Sequence, residues 1–526
     1  MKITYNKLRR AAVLYCVFPV VIFLFGWIST VFACLFTMFI AGGLFIMVRN
    51  SDEDDGNVPY MQISKKAVIF IAVAAVIWCI LAGQGGFISQ TKDHEIRNAI
   101  FHDLIKMDWP VIYDQDQMLS YYIAHWMFPA LAGKAVLALS GSVFYGYLAG
   151  NIALLIWSSI GCFIALMLTA MVTASKDKSH PVAAAVMFIM FSGLDVVGKY
   201  LTGFKRVDHI EWWANYFQFS SISTCLFWVY NQAIVSWIIT LCLINEKKIK
   251  NFALLGILVL PFGPFPFIGI VMMCIIKACE ITIKRIRSKM KTAEILRDIF
   301  SVSNIAMLIG TGIPYAAYYM SNAIVSNDAV YDESKVNVGL RFLDSFVDII
   351  YSRDLNRIVL FFAVYVSFIF LESGIFILLI AAYRKKKIFD NMTFIILSEL
   401  LLFIPLMQMG SQFDFGMRVS IPMIIYIYVE FTKMVTQMLP SKGEFRTFDS
   451  LIKAKPLLII SLFVFLLGTV TPLTEAARGV FDTISLGVHP KTDYFFNESL
   501  NDVYEKNNFA SSNYTESAFY KYLCRK

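Results

Sequence analysis

Apolar residues in this chain come in long, nearly unbroken runs. Stretches such as Ala11 to Val48 and Ala67 to Ala82 are rich in Phe, Ile, Leu and Val on every side, without the stripe of a half-buried helix. About 20 such residues carry a helix across the hydrocarbon core of a bilayer. Strands of a transmembrane barrel would instead alternate with period two. The pattern therefore predicts an all-α polytopic membrane protein. About thirteen spans fall near residues 11–28, 30–48, 66–84, 143–172, 181–200, 222–244, 252–262, 264–279, 302–320, 357–383, 391–408, 419–438 and 456–473.

The polar segments between the runs sort by charge. Lys247 to Lys250, Lys284 to Arg287 and Arg384 to Lys387 are short basic loops, which the positive-inside rule assigns to the cytoplasm together with the basic N-terminus. Residues 85–142, 201–221, 321–356, 409–418 and 474–526 then fall on the opposite face. This divides the chain into a transmembrane domain, 1–473, with one large extracytoplasmic loop at 85–142, and a small extracytoplasmic tail, 474–526. The membrane is the plasma or inner membrane. Lys2 to Arg10 followed by apolar residues superficially resembles a signal peptide, but the run that follows is far too long for one. Pro261-Phe262-Gly263-Pro264-Phe265-Pro266 breaks residues 252–279 into two arms. Each arm is short for a crossing, which predicts a short or re-entrant hairpin buried in protein.

Composition sharpens the class. Only 16% of the 526 residues are charged, against about 25% in soluble domains. The net charge of +8 sits in the short loops, which argues against nucleic acid as a partner. The nine cysteines lie mostly inside apolar runs as small hydrophobes, with Cys524 alone clearly outside them, and no disulfide or zinc spacing emerges.

The densest chemistry follows the third span, at Lys92-Asp93-His94-Glu95-Ile96-Arg97-Asn98. Residues 94–107 read as a helix with Ile96, Ile100, Phe101, Leu104 and Ile105 on one stripe, and Trp109-Pro110 ends it. Asp93 stands at the N-cap position, so it is either a cap or a carboxylate facing a cleft at the membrane exit. His94, Asn98 and His102 share a polar stripe, as solvated residues or as metal ligands. A second amphipathic helix, with Met118, Leu119, Tyr122, Ile123, Trp126 and Met127 on one side, is expected in the plane of the membrane interface.

Two further clusters stand on the same side. Asp208-His209-Ile210-Glu211-Trp212-Trp213 sets an acid–His–acid group against tryptophans that stack on sugar rings or anchor a helix end. Asp195 and Lys199 are spaced to pair with each other. Between the eleventh and twelfth spans, Arg418 suits a phosphate at the lipid–water boundary or an ion pair with Asp414. Glu372 and Glu399, near the middle of adjacent spans, are expected to be protonated or hydrogen-bonded inside the bundle.

An acidic residue soon after a membrane helix, interfacial helices in a large first outer loop, many spans and a small extracytoplasmic tail together resemble the GT-C-type integral membrane glycosyltransferases. The resemblance covers the architecture of most of the chain. At residue level Asp93-His94-Glu95 carries it, with 208–213 and 414–418 behind. It implies a polyprenyl-phosphate-sugar donor and a cell-envelope glycan, lipid or protein acceptor. It also implies catalytic acids at Asp93 and Glu95, and substrate contacts from His94, Arg97, Asp208, His209, Glu211, Trp212, Asp414 and Arg418. Many members have adjacent paired acids, whereas here His94 separates Asp93 from Glu95. The cofactor is therefore open, a divalent cation being the candidate, and no metal ligand is assigned. The competing readings are a polysaccharide polymerase or ligase, and a secondary transporter built on Glu372 and Glu399. The tail, with Tyr494, Phe495, Phe496, Phe519, Tyr520 and Tyr522, covers the outer site as a lid or caps the loops.

Overall fold

Nine helices among the described residues of the computed structural model are long and apolar enough to cross a membrane. The described residues are all except 53–58, 115, 175–179, 207–208, 323–338, 411–412, 441–453, 488–498, 503–508 and 512. In chain order the first helices are α1 (Tyr5–Trp27), α2 (Thr30–Asp52), α3 (Lys65–Leu81), α4 (His94–Lys106), α5 (Ala124–Ser140), α6 (Val143–Thr173), α7 (Pro181–Met190), α8 (Asp195–Thr202) and α9 (Ile222–Asn245). Longer helices follow at Pro264–Arg287, Thr292–Met320, Leu355–Asp390 and Pro456–Ser485, with shorter apolar ones at Ile249–Phe262 and Met392–Leu406. The protein is thus a predominantly helical, multi-pass membrane protein.

One end of the bundle gathers the basic loops. Strand β1 (Lys2–Thr4) pairs antiparallel with β2 (Tyr60–Gln62) there. Arg9 of α1 forms a buried ion pair with Glu246 at the end of α9, and Lys248 Nζ reaches Asn50 O at 3.0 Å. Arg285 binds Asp298 at 2.7 Å beyond the helix Pro264–Arg287.

The opposite end carries the first large loop and the C-terminus. Strands β3 (Ile112–Tyr113), β4 (Gln117–Leu119) and β5 (Ala510–Ser511) form a three-stranded antiparallel sheet, with Met118 opposite Ser511 and Leu119 opposite Ala510. Ser29 N donates to Leu523 O at 2.8 Å and Arg525 N to Trp27 O at 2.9 Å, so the last residues close over the end of α1. Asp103 of α4 accepts Ser499 Oγ at 2.6 Å and Leu500 N at 2.9 Å. The tail is stitched to the first loop through its backbone. Tyr494, Phe495 and Phe496 lie outside the described residues.

Several expectations change here. Met118 and Leu119 are strand, not helix, and Ile123, Trp126 and Met127 are fully buried, so this segment is core and not an interfacial surface. The helix that follows, α5, packs tightly on α6. A Cβ on Gly133 would lie 2.8 Å from Gly146 O, which no side chain tolerates. The arm after Pro261 is a 24-residue helix rather than a short one, while Ile249–Phe262 is a buried broken segment. The last apolar helix runs past 473 to Ser485, broken only by a turn at Thr469. Cys524 is buried, and all nine cysteines are free thiols.

Candidate functional site

Helix α9 is the scaffold of the site. Ser221 Oγ caps it by accepting Thr224 N at 2.9 Å. Two turns later the helix is kinked at Val229 (φ −138°, ψ 36°). Kinks arise where side chains insert into the hydrogen-bond ladder, and three from the segment that follows α3 do so here. Gln84 Nε2 donates to Leu226 O at 3.4 Å, Thr91 Oγ1 to Phe227 O at 3.4 Å, and Arg97 Nη1 to Trp228 O.

That arrangement redefines the Asp93 cassette. Asp93 precedes α4 with helical dihedrals and makes no side-chain cap. Its carboxylate accepts Arg97 Nη2 at 3.1 Å, with 43% of the Asp93 side chain exposed and 6% of Arg97. His94 is buried, not solvated: Nδ1 meets Thr91 Oγ1 at 2.9 Å and the ring stacks 5.5 Å from Tyr230. Burial, reinforced by the Arg97 charge, pulls its pKa down to about 3. Asn98 bonds Gln90 Oε1 at 2.7 Å, and His102 stacks 4.1 Å from Tyr147. The expected solvent-facing stripe therefore points into protein, because α4 is enclosed by α5, α6, α9 and the tail. Glu95 is half-buried, its N–H on Lys92 O.

The second cluster divides in two. His209 stacks on Trp212 at 4.4 Å and abuts Trp228 at 4.8 Å, with Arg478 Nη1 at 3.5 Å from its Nδ1. Asp208 lies outside the described residues. Glu211 turns inward: its carboxylate takes Ser221 N at 2.8 Å and Gln218 Nε2 at 3.0 Å. Burial and then the nearby Asp195 carboxylate push its pKa up to about 8. Trp213 is buried rather than interfacial, donating to Glu372 Oε1 at 3.2 Å. Asp195 does not pair with Lys199; it accepts Ser192 and Thr471 hydroxyls, each at 2.8 Å. Glu372 sits on a π turn, Phe370–Gly374, against Gly193, where any side chain would collide with it. Glu399, expected inside the bundle, is exposed on its helix.

In the third cluster Arg418 pairs with Asp414 at 2.6 Å, the helical i,i+4 alternative. Arg97 and Arg418 nevertheless approach the same target. Tyr121 and Tyr122, joined hydroxyl to hydroxyl, feel both charges, which oppose the upward push of burial on their phenols.

Two cavities adjoin at the top of α9. A polar cleft of about 200 Å³ is lined by Ser89, Gln90, Thr91 and Lys92 on one wall, Arg478, Gly479 and Asp482 on the other, with His209 at the side and Phe227 and Trp228 at the floor. An apolar groove of about 290 Å³ runs beside it between α3, α7 and the last helix, lined by Phe70, Ile77, Trp78, Ile189, Phe227 and Ala476 among others. Phe227 belongs to both. Lys92 and His209 thus come together, with Arg97 behind the floor, while Asp93, Glu95, Asp414 and Arg418 do not line the cleft.

The last helix supplies the residues that sequence reasoning missed. Glu475, Arg478 and Asp482 share one face. Arg478 binds Glu475 at 2.6 Å and lies 5.2 Å over Trp228, whose Nε1 also donates to Glu475 at 3.0 Å. Ser89 N donates to Thr483 Oγ1 at 2.9 Å, fastening the two walls. The available signal was the i, i+3, i+7 spacing of these charges directly after an apolar run. Among the described residues no group of three or more His, Cys, Asp or Glu is placed to hold a metal ion.

Fold and site define a polytopic helical membrane protein with a polar cleft at one end, adjoining an apolar groove. No protein-family profile, curated protein or solved structure matches the chain.

Proposed function

We propose that the protein is a membrane glycosyltransferase that moves a sugar from a polyprenyl-phosphate-linked donor to a cell-envelope glycan, lipid or protein acceptor on the non-cytoplasmic face. The observation that supports it most is the wall shared by cleft and groove at Phe227. A lipid-linked sugar presents an apolar chain, then a phosphate, then a sugar. The groove, the cations Lys92 and Arg478, and the remaining cleft meet those parts in the same order. Ligand sites combine such apolar walls with a few placed polar groups. Cations beside a departing phosphate stabilise the charge that grows in the transition state.

The side of the membrane follows from the basic loops, which gather at the end away from the cleft; on the positive-inside rule that end is cytoplasmic. The N-terminus is then cytoplasmic and the C-terminus outside. A path of thirteen crossings adds α3, Ile249–Phe262, Met392–Leu406 and Ile421–Met438 to the nine long helices. The transporter alternative needs Glu372 and Glu399 as an intramembrane pair, and the exposure of Glu399 weakens it.

The test uses purified full-length protein and a panel of polyprenyl-phosphate sugars labelled in the sugar, with membrane-extracted acceptors. Wild type transfers label, and free polyprenyl phosphate competes. Lys92→Ala weakens polyprenyl-phosphate binding about 10–100-fold, the scale of one hydrogen bond to a charged group. No transfer across the panel, or ion-coupled uptake into vesicles instead, sinks the reading.

A further inference from the structure

Glycosyl transfer needs a group to take the acceptor's proton, and the acids expected for it are not in the cleft. Asp93 is held by Arg97, and neither it nor Glu95 lines the cleft. Glu475 does not line the cleft and is committed to Arg478 and Trp228. Asp482 differs on each count. It lines the cleft, it is half-buried, and it stands one helical turn beyond Arg478 on the same wall. Its neighbour Thr483 is pinned to Ser89 N at 2.9 Å, so the carboxylate is held across the opening from Thr91 and Lys92. Gly479, between Arg478 and Asp482, lets the last helix close on α3: a Cβ there would lie 3.2 Å from Leu81 O.

We infer that Asp482 is the catalytic base of this cleft, an assignment that rests on the transferase reading. The acceptor hydroxyl gives its proton to the Asp482 carboxylate as its oxygen bonds to the anomeric carbon of the donor. The bond from that carbon to the phosphate oxygen breaks, and its electron pair leaves with the polyprenyl phosphate, whose added charge faces Lys92 and Arg478. The products are the glycosylated acceptor, polyprenyl phosphate and a protonated Asp482, which returns its proton to water. Base and phosphate contacts on one wall, a helical turn apart, place proton acceptor and leaving group within a single cleft.

The experiment compares Asp482→Asn, Asp482→Glu and Asp93→Asn in the full-length protein, measuring polyprenyl-phosphate binding and labelled-sugar transfer separately. Asp482→Asn is expected to bind polyprenyl phosphate within about threefold of wild type and to lose transfer by about 10²–10⁴-fold, the usual contribution of a positioned base. Asp482→Glu should transfer measurably with a displaced pH–rate profile, and it decides the matter if the amide variant does not accumulate. Wild-type transfer in Asp482→Asn, or an unchanged rate and pH profile in Asp482→Glu, overturns the assignment while leaving the transferase reading intact. If Asp93→Asn abolishes transfer and Asp482→Asn does not, the base is Asp93. Wild-type protein that binds polyprenyl phosphate but transfers no sugar overturns the transferase reading itself.

Discussion

The guanidinium of Arg97 donates to the carbonyl oxygen of Trp228, 131 residues away, and with its other arm holds Asp93. The first loop thereby fixes the kink of α9, and with it Trp228 at the floor of the polar cleft and Phe227, which the cleft shares with the apolar groove.

Arg97→Ala leaves a buried carbonyl without its charged donor. A loss of about 1.5–3 kcal/mol is expected, read as a lower melting temperature in detergent together with weaker polyprenyl-phosphate binding. Asp93→Asn should cost less than about 1 kcal/mol because that partner is half-exposed. Equal losses from the two substitutions would contradict the view that the Trp228 contact dominates.

The tail is expected to be part of the fold and not a dispensable extension. Asp103→Ala strands the Ser499 hydroxyl and the Leu500 N–H. A destabilisation of about 1–3 kcal/mol should follow for these lost partners. Truncation after Leu486 also removes β5 and the closure on Trp27 and Ser29. A truncated protein melting at the wild-type temperature would show that these contacts contribute nothing.

Packing of α5 on α6 makes its own prediction. Gly133→Ala places a methyl against the backbone oxygen of Gly146 and against Ile105. Overpacking of this kind typically costs about 1–3 kcal/mol. Thermal unfolding measures it, and Gly141→Ala is no control, since its φ of +65° is itself unfavourable for alanine. Gly42, inside α2 and with nothing within 4 Å of the added carbon, is the right comparison and should not lower the melting temperature.

Two buried groups set opposite limits on pH stability. His94 stays neutral down to about pH 3 when folded, against 6.5 ordinarily. Its contribution is complete above pH 6.5 and is lost as the pH falls from there toward 3, because only the unfolded chain takes up the proton. Glu211 titrates near 8 instead of 4.5. Its contribution is present below pH 4.5 and fades as the pH rises toward 8. Melting temperatures across pH 4–9 should show both limbs. Glu211→Gln should flatten the upper one, and His94→Asn the lower; a variant that leaves its limb unchanged removes that residue from the account.

The helical, membrane-spanning class and the α4 helix were legible from the chain because each rests on local pattern. Apolar runs need only length to span lipid, and the stripe Ile96, Ile100, Phe101, Leu104 and Ile105 needs only the helical period; its last four residues are buried and Ile96 is half-buried. The neighbourhoods of polar groups were not legible. Asp93 reads as a cap by position, yet a guanidinium one turn along competes for it. His94, Asn98 and His102 read as surface because a polar stripe on a helix normally faces water, and the sequence cannot say that a C-terminal segment, α6 and α9 enclose it.

The sequence alone determined that this chain is a helical, multi-pass membrane protein and which of its loops are basic, because hydrophobicity and charge act on each segment separately. Only the tertiary structure decided that Lys92, His209, Trp228, Arg478 and Asp482 share one cleft beside an apolar groove. Those residues come from four segments spread over nearly 400 positions, and what joins them is the packing of helices, to which local pattern is blind.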